Sequence, residues 1–397
     1  MQNKYYIDIF SGCGGFAKGL LEAGWRGIFA IEKNPEAFAT FKYNLIDKNQ
    51  YFDWPAWLSV TPHDINTVIK DNKKELMSLR GKVKLVAGGP PCQGFSLAGK
   101  RNHKDQRNTL VKSYVKFIDL LQPDMILFEN VYGFTFQFAN KDGIKKYSSY
   151  VEEKLIHMGY QVDHRLINMA DYGVPQNRRR FILIGMKHDN PQTAFEELEK
   201  ESERLKKEKA LSEKTSAQEA LSDLERSHGI SQSPDSKGFM AGLYGEIESN
   251  YQKMMRAKME HETGTIADSH RFVNHSDRIV QLHKDLLEKA TPGERITPNN
   301  QIGVEIKRRN VTVLGRGLQA PTITSIPDEI VHYSEPRILT VREYARLQSF
   351  PDDYVFLGRY TSGGKQRKNE VCRYTQIGNA VPPLFAEMLG RVLLSRS

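Results

Sequence analysis

The chain has 397 residues, of which 39% are hydrophobic and 26% charged. That composition fits a folded protein of one large domain with an inserted piece, or of two domains, and excludes a disordered chain. The net charge of +9 reads either as a solvated basic surface or as a surface for a polyanion whose counterions are released on binding. No apolar run approaches the ~18 residues of a membrane span. The chain enters a strand-like run at Tyr5, which leaves no room for a secretory leader, so a cytoplasmic protein is expected. Its three cysteines, Cys13, Cys92 and Cys372, are odd in number and widely spaced. That argues against a disulfide framework or a zinc cluster and leaves room for one functional thiol; no metal site is expected.

In chain order, short apolar runs at 5–10, 27–31, 83–87, 125–128 and 181–186 are separated by longer helix-compatible stretches. This pattern predicts βαβ units and a mostly parallel sheet covered on both faces, an α/β fold, with functional residues on loops at the carboxyl ends of strands. From 194 to 225 Glu, Lys, Ser and Ala dominate, with Glu201/Arg204 and Glu203/Lys207 at helical spacing, which predicts an exposed connecting helix. A polar stretch richer in glycine and serine follows at about 227–264. Basic residues recur at Lys307, Arg308, Arg309 and Arg316. Residues 339–347 read as an amphipathic helix, and 384–394 as another. There is no internal repeat.

Certain residues have the chemistry and setting of a site. Asp8-Ile9-Phe10-Ser11-Gly12-Cys13-Gly14-Gly15-Phe16 leaves the first strand and opens a helix; its glycines permit a tight turn and close approach of a ligand. An ordinary strand-to-helix turn accounts for the same pattern. Glu32 ends the second strand, where a carboxylate can accept from ribose hydroxyls, and Asp64 ends a strand-like element and could receive an exocyclic amine. Each could equally be a helix cap. Gly88-Gly89-Pro90-Pro91-Cys92-Gln93-Gly94-Phe95-Ser96 presents a thiol on a stiff loop poor in side chains, suited to a nucleophile that meets a flat ring or to a structural turn. Glu129-Asn130-Val131 follows an apolar strand, and partial desolvation there favours a protonated acid able to donate to a ring nitrogen. Gln176, Arg178 and Arg180 alternate and so share one face of an extended segment. An arginine fork there can hold a carbonyl or a phosphate, although Arg178-Arg179-Arg180 also reads as a surface basic run.

Together these segments resemble the cytosine-5 DNA methyltransferases. The resemblance covers about 5–187 and 332–394 in the family's order. It continues through Arg337-Ile338-Leu339-Thr340-Val341-Arg342-Glu343 and ends at Gly378-Asn379-Ala380-Val381-Pro382-Pro383. It implies a Rossmann-like S-adenosylmethionine-dependent domain with a smaller target-recognition domain inserted. The expected division is 1–190 for the first part of the catalytic domain, 191–225 for a charged connector, 226–330 for target recognition and 331–397 for the C-terminal return. It also implies that Phe10, Ser11, Gly12, Gly14, Gly15, Glu32, Lys33, Asp64, Ile65, Gly89, Pro91, Asn379 and Ala380 bind S-adenosylmethionine, with S-adenosylhomocysteine as product. Cys13 stands where a small or aliphatic residue is usual and reads as a compact filler.

The mechanism so implied is covalent. The Cys92 thiolate attacks carbon 6 of a flipped cytosine, Glu129 protonates nitrogen 3, Arg178 steadies the ring oxygen, and Arg178 or Arg180 favours the thiolate. A loop over 94–107 closes on the base, with Ser96, Lys100, Arg101 and Arg107 suited to phosphates. Gln176, Lys307, Arg308, Arg309 and Arg316 are further candidates for DNA contact. Double-stranded DNA is the expected partner of a monomer of bacterial or archaeal type, with a restriction endonuclease acting separately or none. Rival readings are a tRNA cytosine-5 methyltransferase of the same fold, a silent DNA-binding relative, and a Rossmann oxidoreductase. The last fits poorly, because Gly12-Cys13-Gly14-Gly15 is not the dinucleotide fingerprint.

Overall fold

The computed structural model describes residues 4–91, 108–136, 138–140, 143–145, 147–259, 263–300, 302–306, 310–361 and 370–397. It divides into two compact units. The first comprises 1–168, 179–203 and 385–397, and the second 169–178 and 204–384.

Among the described residues, the first unit holds a sheet of six strands: β1 (Tyr5–Ile9), β2 (Arg26–Ile31), β3 (Leu85–Gly88), β4 (Met125–Val131), β5 (Gln161–Asn168) and β6 (Arg179–Met186). Their order is β2-β1-β3-β4-β6-β5. The first four are parallel, whereas β4–β6 and β6–β5 pair antiparallel. The apolar runs become strands because both faces are covered. Ile7, Ile9, Phe29, Ile31, Val86, Ile126 and Phe128 share one core with α3 (Ile65–Asp71), α4 (Asn108–Leu121) and α5 (Tyr147–His157). Earlier in the chain, α1 (Gly15–Glu22) accepts the Tyr6 hydroxyl at the Ala17 carbonyl, 3.5 Å away, and α2 (Pro35–Lys42) is capped by Asn34. The C-terminal helix (Pro383–Leu394) accepts the Trp25 indole N–H at Gly390, 2.8 Å away.

Three expectations change. The 194–225 segment is not an exposed helix. Its helix, Pro191–Glu208, buries Ala194, Phe195, Leu198 and Leu205 at helical spacing and ends before a separate capped turn at Ala217–Leu221. Asp64 ends no strand; it caps α3 through the Asn66 N–H at 2.9 Å. The helix foreseen over 339–347 spans Val341–Leu347, and every residue in it is buried, so it is not amphipathic.

That last helix forms the centre of the second unit. Arg342, Glu343 and Arg346 are fully buried, each with charged partners. Arg346 donates to both oxygens of Asp223 at 3.0 Å and to both of Asp352 at 2.6 Å. Arg342 donates to Asp268 at 2.8 Å, and Arg337 grips Glu343 through two bonds of 2.7 Å. Thr340 and Glu343 form a capping box at the helix start. Burial acts upward on the Glu343 and Asp352 carboxyls, but their arginines outweigh it and hold both below the usual carboxylate range.

Removing one member of such a network strands the others without water. Arg346→Met is therefore expected to lower the unfolding free energy by about 3–5 kcal/mol in denaturant titration. A loss under about 1 kcal/mol, the scale of an exposed pair, would contradict this.

Candidate active site

The glycine turn after β1 is built on left-handed backbone. Phe10, Gly12 and Gly14 have φ of 60°, 55° and 94°, a region that costs a non-glycine residue energy and is over-represented at functional sites. A Cβ on Gly12 would meet nothing within 4 Å, so the turn opens onto free space. Glu32 ties this turn to the next loop: one carboxylate oxygen accepts from the Gly12 N–H at 2.9 Å, the other from the Asn34 N–H at 2.7 Å. The His63 N–H reaches the Glu32 carbonyl at 2.8 Å, and Lys33 pairs with Asp64 at 2.9 Å. Ile65, the first residue of α3, is buried. Phe10, Ser11, Gly12, Gly14, Gly15, Glu32, Lys33, Asp64 and Ile65 therefore lie in connected loops of one unit.

Electrostatics separate the three acids. Burial raises the Glu32 carboxyl against three opposing backbone N–H groups. Burial also acts upward on Asp64, but Lys33 and the Asn66 N–H outweigh it and hold Asp64 low. Asp8, which the sequence reading left without a role, is fully buried within β1. Burial and then the Glu32 charge push its carboxyl far up, with the Ala17 backbone acting more weakly the other way. Among the described residues, neither Asp8 oxygen nor the Ser11 hydroxyl has a partner of good hydrogen-bond geometry. The signal was an acid inside the apolar run Tyr5-Tyr6-Ile7-Asp8-Ile9-Phe10. Two buried carboxyls and an unsatisfied hydroxyl around an open turn fit a ligand with positive charge and hydroxyl groups. Cys13 is buried with its thiol pushed up by that burial, in keeping with a packing role.

A second cluster forms where β3 and β4 end. Glu129 accepts from Arg180 Nε at 2.9 Å. Gly89 lies against the same carboxylate; a Cβ there would stand 2.7 Å from Glu129 Oε2. Asn130, buried, donates its side-chain amide to the Pro90 carbonyl at 3.2 Å. That fixes the chain two residues before Cys92. Pro91 is exposed. Cys92, Ser96, Lys100, Arg101, Arg107, Lys307, Arg308 and Arg309 fall outside the described residues.

The two arginines expected to act together have different surroundings. Arg180 belongs to the first unit and pairs with Glu129. Arg178 belongs to the second and is 1% exposed; its guanidinium donates to the carbonyls of Gly378 at 2.9 Å, Ala380 at 3.2 Å and Ile323 at 3.3 Å. Arg178 thus braces the end of the helix Arg373–Asn379, where Asn379 itself is exposed. Gln176 is also fully buried, donating to the Leu347 carbonyl and Gln348 and accepting from the Ile323 N–H, so it braces this unit instead of facing DNA. Arg316 is half exposed and stacks over Tyr333 at 4.9 Å, with Glu225 3.7 Å away. Among the described residues, no group of three or more His, Cys, Asp or Glu could hold a metal ion, and no helix is long and apolar enough to cross a membrane.

Because Gly89 has no room for a methyl group, Gly89→Ala must move the Glu129 carboxylate or its own strand end. The methyl transfer implied by the resemblance should slow by about 100-fold, the scale of an ångström's misplacement. A wild-type rate would show that Glu129 need not sit where it does.

Comparison with known proteins identifies the family. The chain matches the family described as C-5 cytosine-specific DNA methylase over residues 5–395. It is 33% identical to the type II methyltransferase M.DdeI of Desulfomicrobium norvegicum, across 96% of this chain and 86% of that protein. It is 30% identical to M1.HphI of Haemophilus parahaemolyticus, across 98% and 86%. A solved DNA modification methyltransferase encoded within an Escherichia coli prophage shares the fold, with a TM-score of 0.65 and 22% identity over 98% of both chains. The Dnmt2 methyltransferase of S. pombe shares it more distantly, with a TM-score of 0.54 and 15% identity over 99% of this chain and 98% of that one. With the match running almost end to end, the chain belongs to the C-5 cytosine-specific DNA methylases, enzymes that transfer a methyl group to carbon 5 of cytosine in DNA.

Proposed function

We propose that methyl transfer runs through Cys92, with Glu129 and Arg180 handling the pyrimidine ring and the glycine turn holding S-adenosylmethionine, the general methyl donor of such enzymes. The observation that carries this reading is the arrangement at the end of β4. The Glu129 carboxylate is held at 2.9 Å by Arg180 and packed against Gly89, while Asn130 anchors Pro90 just before Cys92.

Carbon 5 of cytosine is a weak nucleophile, and covalent catalysis divides the difficulty. The Cys92 thiolate adds to carbon 6 while Glu129 delivers a proton to nitrogen 3. Arg180 takes the part first expected of Arg178: it orients Glu129 and has donors left for the ring oxygen. The electron pair released toward carbon 5 would form the new carbon–carbon bond to the methyl group as that group's bond to the donor sulfur breaks. A base, through water, then removes the carbon-5 proton, the bond between carbon 6 and the cysteine sulfur breaks to return the Cys92 thiolate, and nitrogen 3 gives its proton back to Glu129.

S-adenosylmethionine supplies an electrophilic methyl group. The residues of the first unit that would hold it are Phe10, Ser11, Gly12, Glu32 and Asp64. Asp8, its carboxyl still unsatisfied, joins them. The target base must leave the duplex to be reached. Sequence recognition is assigned to 226–330. A monomeric enzyme, with or without a separate restriction endonuclease, completes the proposal.

The test is transfer of labelled methyl from S-adenosylmethionine to unmethylated genomic DNA, with transfer RNA in parallel. Label in DNA that disappears in Cys92→Ala, with cofactor binding retained, is the expected result. Label confined to RNA, or label in DNA that persists without Cys92, would overturn the proposal.

A further inference from the structure

Beyond Glu129 the chain turns out of the sheet through a single 3-10 turn, Tyr132–Thr135. Phe134, within it, is fully buried against Phe128 and Phe181, with ring centroids 5.3 and 5.6 Å apart. This anchor holds the turn to the core and presents its flanking aromatics outward. Tyr132 is 37% exposed, and Phe136, partly exposed, meets it edge to face at 4.9 Å. The turn is braced: the Thr135 hydroxyl donates to the Tyr132 carbonyl at 2.9 Å, and the Phe136 N–H to Gly133 at 3.2 Å. Across the sheet, Val131 pairs with Arg180, and one step further along β6 Arg179 is exposed.

A single exposed aromatic residue is ordinary. Here an aromatic pair, three and seven residues beyond the acid assigned to the target ring, is fixed in place, and the exposed Arg179 lies on the neighbouring strand. A π face takes any nucleobase, and an arginine fork takes a phosphate. When a base leaves the helix its neighbours lose a stacking partner, and a rigid aromatic side chain can replace it.

We propose that Tyr132 and Phe136 form a stacking platform for a nucleobase flanking the target cytosine, with Arg179 on the adjoining phosphate. The inference rests on the DNA-methylating reading above and assigns positioning residues, since the platform stabilises the opened duplex and leaves the bond-forming steps to Cys92 and Glu129.

The test uses a duplex containing the methylated site, mapped by bisulfite sequencing of the wild-type product, with 2-aminopurine beside the target cytosine. Binding and fluorescence are measured for the wild type, Tyr132→Phe, Tyr132→Leu, Tyr132→Gln and Arg179→Ala. Tyr132→Phe should retain affinity and quenching. Tyr132→Leu and Tyr132→Gln should bind the duplex about 5- to 100-fold more weakly and lose the quenching, with cofactor affinity and unfolding midpoint unchanged. Arg179→Ala should lower the salt dependence of binding by about one ion. Wild-type affinity and quenching in both Tyr132→Leu and Tyr132→Gln would overturn the platform alone. A wild type that leaves DNA unlabelled would overturn the reading beneath it as well, and that is seen before any variant is made.

Discussion

The end of the sheet proposed to act on the pyrimidine ring depends on one cross-strand ion pair, Glu129 with Arg180. It exists because β4 and β6 pair antiparallel in a register that sets Val131 opposite Arg180 and Glu129 opposite Ile182. The two charged side chains are then diagonal neighbours on one face, and both are long enough to meet at 2.9 Å. A slip of one residue would turn Arg180 to the other face. The buried strands on either side make such a slip costly, since Phe128, Phe181 and Leu183 would leave the core with it. Burial alone acts to lower Arg180, and the Glu129 charge opposes it, so the carboxylate helps keep its partner a cation.

The same economy of charge appears in the glycine turn and in the second unit, with opposite outcomes. In the second unit the buried charges of Arg337, Arg342, Arg346, Asp223, Glu343 and Asp352 all have partners of opposite sign at bonding distance, and the result is a rigid brace. Around the turn, Asp8 and Ser11 are buried and unsatisfied, and Phe10 holds a strained backbone. Strain and unmet polar groups cost stability, and they persist where a ligand supplies the missing contacts.

How much of this was legible in the sequence varied with the range of the interaction. The strands of the first unit were legible because apolar runs record burial on both faces. The glycine turn and Glu129 stood out because their residue types are unusual at strand ends. The separation of Arg178 from Arg180 was not legible: their alternation places both on one face, and only their partners distinguish them. Those partners are the Gly378 and Ala380 carbonyls, two hundred or more positions along the chain, and Glu129 on a neighbouring strand. The helix Val341–Leu347 looked amphipathic for the same reason. Arg342 and Arg346 resemble a solvated face until Asp268 and Asp223, 74 and 123 positions away, are seen to cover them. Asp64 shows the reverse case, in which the plain reading of a carboxylate as a helix cap describes what it does.

In the proposed mechanism the Glu129–Arg180 pair activates the ring for Cys92. Exchange of the carbon-5 hydrogen of cytosine with solvent, followed in cognate duplex without methyl donor, reads that addition step alone. The wild type should exchange it, and Arg180→Ala should exchange it at least about 100-fold more slowly, the scale of a lost preorganised donor, while still binding the duplex. Exchange at the wild-type rate in Arg180→Ala would show that the pair does not activate the ring.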